Sequence, residues 1–253
     1  MKNLLIYITP TKSFNNYRPD MANDAHALIQ VQLDSTLVSG WKEIMFFTNF
    51  DYKYRGIKAE VLEGVEFCER KPQVTKINAI VRLFEMGRIK DGELYFFHDI
   101  DAFQMAPISE QEIRQEMGGA NIGVTLYGHR NLWNTGVMFF DSGAEDMFRY
   151  MKDSTKKNSI NEEQALWFMS SHKKAYIPRI KRLNPTYNFL PWSLRECYKE
   201  AIKPLKVAHF HPFVDMPKLG IPKPLDFYKG KNKLGIPLIT KELIQIFDAH
   251  GII

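Results

Sequence analysis

Leu94-Tyr95-Phe96-Phe97-His98-Asp99-Ile100-Asp101 is the most informative stretch of this chain. Its apolar, aromatic-rich head reads as a buried strand, expected over residues 93–97. That strand delivers two carboxylates, two residues apart, to its carboxyl end. Alternate residues of an extended chain point the same way, so both side chains are expected to face one site. Two ionised carboxylates held close repel each other and need a counter-charge. A hard divalent cation supplies it through oxygen ligands. Mg²⁺ or Mn²⁺ keeps open positions that can take two phosphate oxygens and can stabilise a departing diphosphate as a Lewis acid. Asp-x-Asp also fits a polar strand-end turn in which Asp caps local backbone N–H groups. The apolar run ahead of the pair favours the functional reading.

Outward from this strand, the chain alternates strand and helix patterns. Residues 4–8 form a short apolar run closed by Thr9-Pro10, a buried strand ending in a loop. Residues 20–38 carry Ala25, Leu28, Ile29, Leu33 and Leu37 at helical spacing, with Gly40 as a stop signal. Strands are expected over 43–48 and 61–67. A helix is expected over 75–86, with Ile77, Ile80, Val81 and Phe84 as its apolar stripe and Gly87 at its end. Beyond the acidic pair, strands are expected at 123–126, 136–140 and 206–210, and helices at 145–153 and 161–171. The tail after Asp215 is rich in Pro, Gly and Lys up to a last helix near 241–249.

This order implies an α/β fold with a mostly parallel sheet and helices on both faces. Ligands of such sheets bind at the carboxyl ends of the strands, where Thr9, Asn49 and Asp99 are expected. The 253 residues suit a single domain: a nucleotide-binding half over 1–101, an acceptor half over 102–214 and an extension over 215–253.

The net charge of +5 suits an anionic small molecule such as a nucleoside diphosphate. The basic residues are dispersed, which argues against nucleic acid. The densest groups are His172-Lys173-Lys174 with Arg179, Lys181 and Arg182, and Lys229, Lys231 and Lys233. Each fits a solvated face or a phosphate-facing patch. Cys68 and Cys197, the two cysteines, make no metal or redox spacing. Two thiols make no disulfide framework, so a reducing, cytoplasmic setting is the expectation. No apolar run near the start is long enough for a signal peptide or a membrane span.

Three later segments complete the pattern: Trp133-Asn134-Thr135-Gly136-Val137-Met138-Phe139-Phe140, Asn161-Glu162-Glu163-Gln164-Ala165-Leu166 and Val207-Ala208-His209-Phe210. Their order resembles that of GT-A fold glycosyltransferases, with glycogenin-like and blood-group-type transferases as the nearest likeness. In that family a strand ends in Asp-x-Asp, an Asn-x-Gly strand follows, an acidic helix start comes next, and a late His completes the metal site.

The resemblance implies a metal-dependent transferase with Mn²⁺ or Mg²⁺, a nucleotide-sugar donor (UDP-sugar first, GDP-sugar as the alternative) and a glycan hydroxyl acceptor. It implies that Asp99 contacts the donor ribose or the metal through water, that Asp101 ligates the metal, and that His209 is the late ligand, with His211 as a rival. Thr9, Pro10 and Asn49 would hold the nucleoside, and Lys76 would send a basic side chain to the donor. Asn134 would contact sugar or acceptor. Gly136 would let backbone come close to the sugar. Glu163 would stand beside the anomeric carbon, with Glu162 as a hydroxyl partner.

Each of these residues also has a structural reading: a packed histidine, a strand entry with a turn, a first-turn lysine, or carboxylates favoured by a helix dipole. Gln164 and Trp167 stand where glycogenin-like relatives carry Asp and Asn, and inversion and retention are both open. Aromatic residues of the second half, among them Trp133, Trp167, Tyr187, Phe189 and Trp192, fit either sugar stacking or core packing. A metal-dependent phosphohydrolase with Asp99 as nucleophile, and a non-catalytic nucleotide- or carbohydrate-binding module, are the competing functions.

Overall fold

The computed structural model describes residues 1–9, 19–65, 67–127, 132–190 and 195–209, together with 245, 248 and 249. Pro10, Trp192, His211, Asp215 and nearly all of the tail therefore lie outside the described residues. The chain runs β1 (Lys2–Tyr7), α1 (Pro19–Val38), β2 (Ile44–Thr48), β3 (Lys53–Tyr54), β4 (Ile57–Lys58), β5 (Glu60–Val61), α2 (Thr75–Glu85), β6 (Leu94–His98), β7 (Ala102–Gln104) and α3 (Glu110–Met117). It continues β8 (Ile122–Leu126), β9 (Trp133–Asp141), α4 (Glu145–Asn158), α5 (Glu162–His172), β10 (Ile180–Arg182), α6 (Arg195–Glu200) and β11 (Val207–His209).

Seven strands form the central sheet in the order β10-β8-β9-β6-β1-β2-β5. Only β9 runs against the others, pairing antiparallel with both β6 and β8. The sheet takes strands from both sides of residue 101. Strand β7 and the late β11 form a separate antiparallel ribbon, with His209 opposite Ala102. This ribbon brings His209 back beside the acidic pair.

The two faces of the sheet follow the pleat. On one face Leu4, Ile6, Tyr95, Phe97, Met138 and Phe140 pack against Ile77, Ile80 and Val81 of α2, Met147, Phe148 and Met151 of α4, and Leu166 of α5. On the other face Leu94, Phe96, Val137 and Phe139 pack with Ile113 and Met117 of α3, and Leu5 and Tyr7 with Ile29 and Leu33 of α1. The Phe96 and Phe139 rings stack at 4.9 Å across β6 and β9. Both are fully buried, so removing either ring would cost about 3–5 kcal/mol.

Two expectations need correction. Residues 61–67 do not make a strand: β5 is only Glu60–Val61, because the following segment leaves the sheet through Gly64 at φ +79. The acidic pair is not on extended chain either. Ala102 N donates to Asp99 O at 3.0 Å, closing a turn over Asp99-Ile100-Asp101. Convergence of the two carboxylates thus comes from a turn and not from the pleat.

Candidate active site

The acidic turn is held from beneath by α1. The buried Gln32 amide donates toward the carbonyls of Asp99 (3.0 Å), Ile100 (2.9 Å) and Ala102 (2.7 Å). A single side chain thus gathers three carbonyls of the turn, two of which have a further partner: Asp99 O accepts from Ala102 N, and Ala102 O lies 2.9 Å from His98 Nδ1. Asp99 N donates to Gly136 O at 2.7 Å, so β9 fixes the other side of the turn.

Strand β9 is irregular here. Val124 pairs Met138, but the next residue, Thr125, pairs Asn134. Thr135, Gly136 and Val137 therefore have no partner on β8. Such bulges re-aim side chains at functional sites. This one sends the Thr135 hydroxyl to Glu162 Oε1 (3.1 Å), its carbonyl to Lys76 Nζ (3.0 Å) and its N–H toward Glu163 Oε1 (3.4 Å).

The carboxylates of α5 owe their position to a capping box. Asn161 Oδ1 accepts from Gln164 N at 2.8 Å, and Gln164 Oε1 accepts from Asn161 N at 3.0 Å. Glu162 and Glu163 follow at the first two helical positions, where the dipole favours negative charge. Glu162 is 1 % exposed and its Oε2 has no hydrogen-bond partner. Burial raises its pKa against the opposing pull of Lys76. Glu163 accepts from the Tyr127 hydroxyl at 2.8 Å. Burial first, and then the neighbouring Glu162 charge, push its pKa up to about 7.

Lys76, at the start of α2, binds these groups together. Its Nζ lies 3.1 and 2.9 Å from the two oxygens of Asp99 and 3.7 Å from Glu162 Oε1. Burial works against the ammonium, but Asp99 and Glu162 outweigh it and the pKa is raised. Asp99 is itself raised by burial, opposed chiefly by Lys76. Lys76 is accordingly a buried, paired cation and not a solvated first-turn lysine.

His209 arrives on β11. Its Nδ1 lies 3.0 Å from Asn188 Oδ1, and its Nε2 lies 3.3 Å from Asp101 Oδ1. An amide oxygen can only accept, so a proton on Nδ1 would serve Asn188, and Nε2 is the ring nitrogen that faces the acidic turn. The ring occupies the space a side chain at Gly136 would need: a Cβ there would stand 2.6 Å from His209 Nδ1. Gly136 thus sits beneath the histidine; the resemblance implies that its backbone also comes close to the sugar. Ligand atoms of Asp99, Asp101 and His209 all lie within 4.8 Å of one another. Two carboxylates with one imidazole nitrogen suit Mn²⁺, which accepts nitrogen beside oxygen ligands, and also Mg²⁺.

The remaining expected residues lie in two places. Asn134 is fully buried. Its Oδ1 accepts from Gly136 N at 2.8 Å and its Nδ2 has no partner. Thr9 and Asn49 face each other at the ends of β1 and β2. Thr9 N donates to Asn49 Oδ1 at 3.0 Å, and Asn49 Nδ2 donates to Thr9 O at 2.6 Å. Asn49 thus straps the two strand ends together. Sequence reasoning did not single out Gln32, Tyr127 or Asn188. Each acts across more than thirty residues or through a neighbour, and no local motif marks that. Of the basic group near 172–182, Arg179 pairs with Asp146 at 2.7 Å and Lys173 covers the Tyr150 ring, so these two serve the surface of α4.

No protein-family model matches the sequence, and no curated protein matches it. Solved structures are similar in fold. The galactosyltransferase LgtC in complex with donor and acceptor sugar analogues aligns at 12% identity and a TM-score of 0.56, over 99% of this chain and 96% of that one. A glycosyltransferase involved in glycosylation of the major capsid of PBCV-1 aligns at 12% identity and 0.52, over 84% and 95%. The glycosyltransferase GlyE of Streptococcus pneumoniae TIGR4 aligns at 10% and 0.53, over 84% of this chain and 55% of its own. At these identities the likeness is one of fold, and the fold is GT-A. No helix among the described residues is long and apolar enough to cross a membrane.

Proposed function

We propose that this protein is a metal-dependent glycosyltransferase that moves a sugar from a nucleoside-diphosphate donor to a hydroxyl of a glycan acceptor. The observation that carries this reading is the convergence of Asp99, Asp101 and His209 at the carboxyl end of β6, beside the buried Lys76–Glu162 pair and the half-buried Glu163. A bound Mn²⁺ or Mg²⁺ would supply charge stabilisation to the departing diphosphate.

The roles of the chain's own residues follow from their positions. Asp99, Asp101 and His209 would hold the metal. Thr9 and Asn49, with Pro10, would form the wall beside the base and ribose. Lys76 balances the negative charge of the acidic turn and of Glu162, and it would remain next to the donor phosphates. The bond from the anomeric carbon to the phosphate oxygen breaks with its electron pair leaving on the nucleoside diphosphate. The acceptor oxygen bonds to the same carbon and releases its proton. Glu163 has a pKa near neutrality and would receive that proton if the reaction inverts, as suits a general base. If the reaction retains, Glu163 would face the cationic anomeric carbon. Asn134 and Glu162 would hydrogen-bond sugar or acceptor hydroxyls; each holds one unpartnered polar atom that is buried here and must be uncovered to do so.

The competing reading is a phosphohydrolase using Asp99 as nucleophile. Turnover of UDP-hexoses, UDP-xylose and GDP-mannose with Mn²⁺ tests the reading. Release of nucleoside diphosphate that vanishes in Glu163→Ala and on chelation supports it. Release of inorganic phosphate would favour the hydrolase.

A further inference from the structure

A second cleft, of about 640 Å³, opens between the outer side of α2 and the C-terminal half of α4, closed by the loop around residues 64–71. None of its lining residues belongs to the candidate active site. Arg70, Lys71, Arg82, Lys152 and Lys156 face it, against the one carboxylate of Glu85. Glu85 is already shared between Arg82 at 3.5 Å and Arg149 at 3.4 Å. Among the described residues, Arg70, Lys71, Lys152 and Lys156 form no ion pair. Lys71 instead reaches the carbonyl of Ser159 at the end of α4.

The cations come from three separate segments. Residues 82 and 85 lie on one ridge of α2, residues 152 and 156 on one ridge of α4, and residues 70 and 71 on the loop. Folding alone gathers them, which is why no basic run marks the place in the sequence. Five cations around a concave wall repel one another and focus a positive potential into the cleft. The floor includes Val65 and Val74, both buried. The volume is that of a small-molecule site.

We propose that this cleft is a binding site for a phosphate ester, with phosphate or diphosphate oxygens taken by the Arg70, Lys152 and Lys156 side chains. Both a soluble phosphate ester and an anionic lipid headgroup carry this chemistry. The inference does not depend on the transferase reading.

The test uses the full chain with a chelator present, so that metal-assisted binding at the acidic turn is silent. Inorganic pyrophosphate is titrated calorimetrically, and sedimentation is followed with phosphatidylcholine vesicles, with and without phosphatidylglycerol. Arg70→Glu/Lys156→Glu reverses two exposed charges, and Arg70→Gln/Lys156→Gln removes them. The proposal expects salt-sensitive binding that falls about tenfold or more in the reversed variant and less in the neutral one. Donor turnover and melting temperature should stay at the wild-type level in both. Binding of pyrophosphate would name a soluble ligand, and binding only to the anionic vesicles would name a headgroup. Absence of both, or binding equally strong in the reversed variant, would overturn the proposal.

Discussion

His209 Nδ1 lies 3.0 Å from Asn188 Oδ1, and that contact decides which ring nitrogen faces the acidic turn. Outer partners of this kind hold the tautomer and orientation of metal-binding histidines. Asn188→Ala should therefore weaken Mn²⁺ binding by about 10–100-fold. Asn188→Asp keeps an acceptor and should retain most of the affinity. Mn²⁺ titration followed by electron paramagnetic resonance reads this without reference to turnover. Equal affinity in wild type and Asn188→Ala would separate Asn188 from the metal site.

Gly136 should tolerate no side chain. A Cβ would stand 2.6 Å from His209 Nδ1 and 2.9 Å from Nε2, so Gly136→Ala must move the ring or the strand. Overpacking of this kind costs about 1–3 kcal/mol. The expected result is a lower melting temperature together with lost Mn²⁺ affinity. Normal Mn²⁺ binding in a folded Gly136→Ala protein would show that His209 is not a ligand.

Lys76 is the counter-ion of two carboxylates. Lys76→Met leaves Asp99 and the buried Glu162 without their cation, and breaking such a pair typically costs about 3–5 kcal/mol. Lys76→Met/Glu162→Gln removes one of the stranded charges and should recover part of the loss. Chemical denaturation at neutral pH measures both. A Lys76→Met protein as stable as wild type would contradict the ion-pair account.

The folded-state pKa of Glu163 stands at about 7, above its ordinary value of 4.5. The folded protein therefore holds this proton more tightly than the unfolded chain does. The resulting stability is complete below the ordinary value and is lost as pH rises from about 4.5 through about 7. Glu163→Gln should remove that decline, so its stability relative to wild type improves as pH rises across the interval. Unfolding curves at several pH values test the sign. If Glu163 acts as a base, the wild-type rate rises over the same interval, and Glu163→Gln loses both the rate and the rise.

Much of the sheet was legible in the sequence because its strands are nearly continuous apolar runs buried on both faces. The 94–97 run and the 136–140 run are clear cases. Helix α3 was not, since only Ile113 and Met117 of it are buried and its other residues are charged or polar. Its signature lay instead in Ser109, whose side chain accepts from Glu112 N. The site was legible where its residues fall in motifs: Asp99 and Asp101 after an apolar strand, Glu162 and Glu163 at a helix start, and His209 on a late strand. The parts that orient those residues were not. Gln32 acts from 67 residues away and Tyr127 from 36, and a side chain that bonds a distant backbone or carboxylate leaves no local pattern.

The central claim is that Asp99, Asp101 and His209 bind a divalent cation together with a nucleoside diphosphate. Calorimetric titration of UDP and of GDP into the protein, with and without Mn²⁺ and repeated on Asp101→Ala, tests it most directly. The account predicts that one of the two nucleotides binds only when Mn²⁺ is present, and that Asp101→Ala abolishes this binding while remaining folded. Binding that is indifferent to Mn²⁺ and to the substitution, or no binding of either nucleotide, would contradict it.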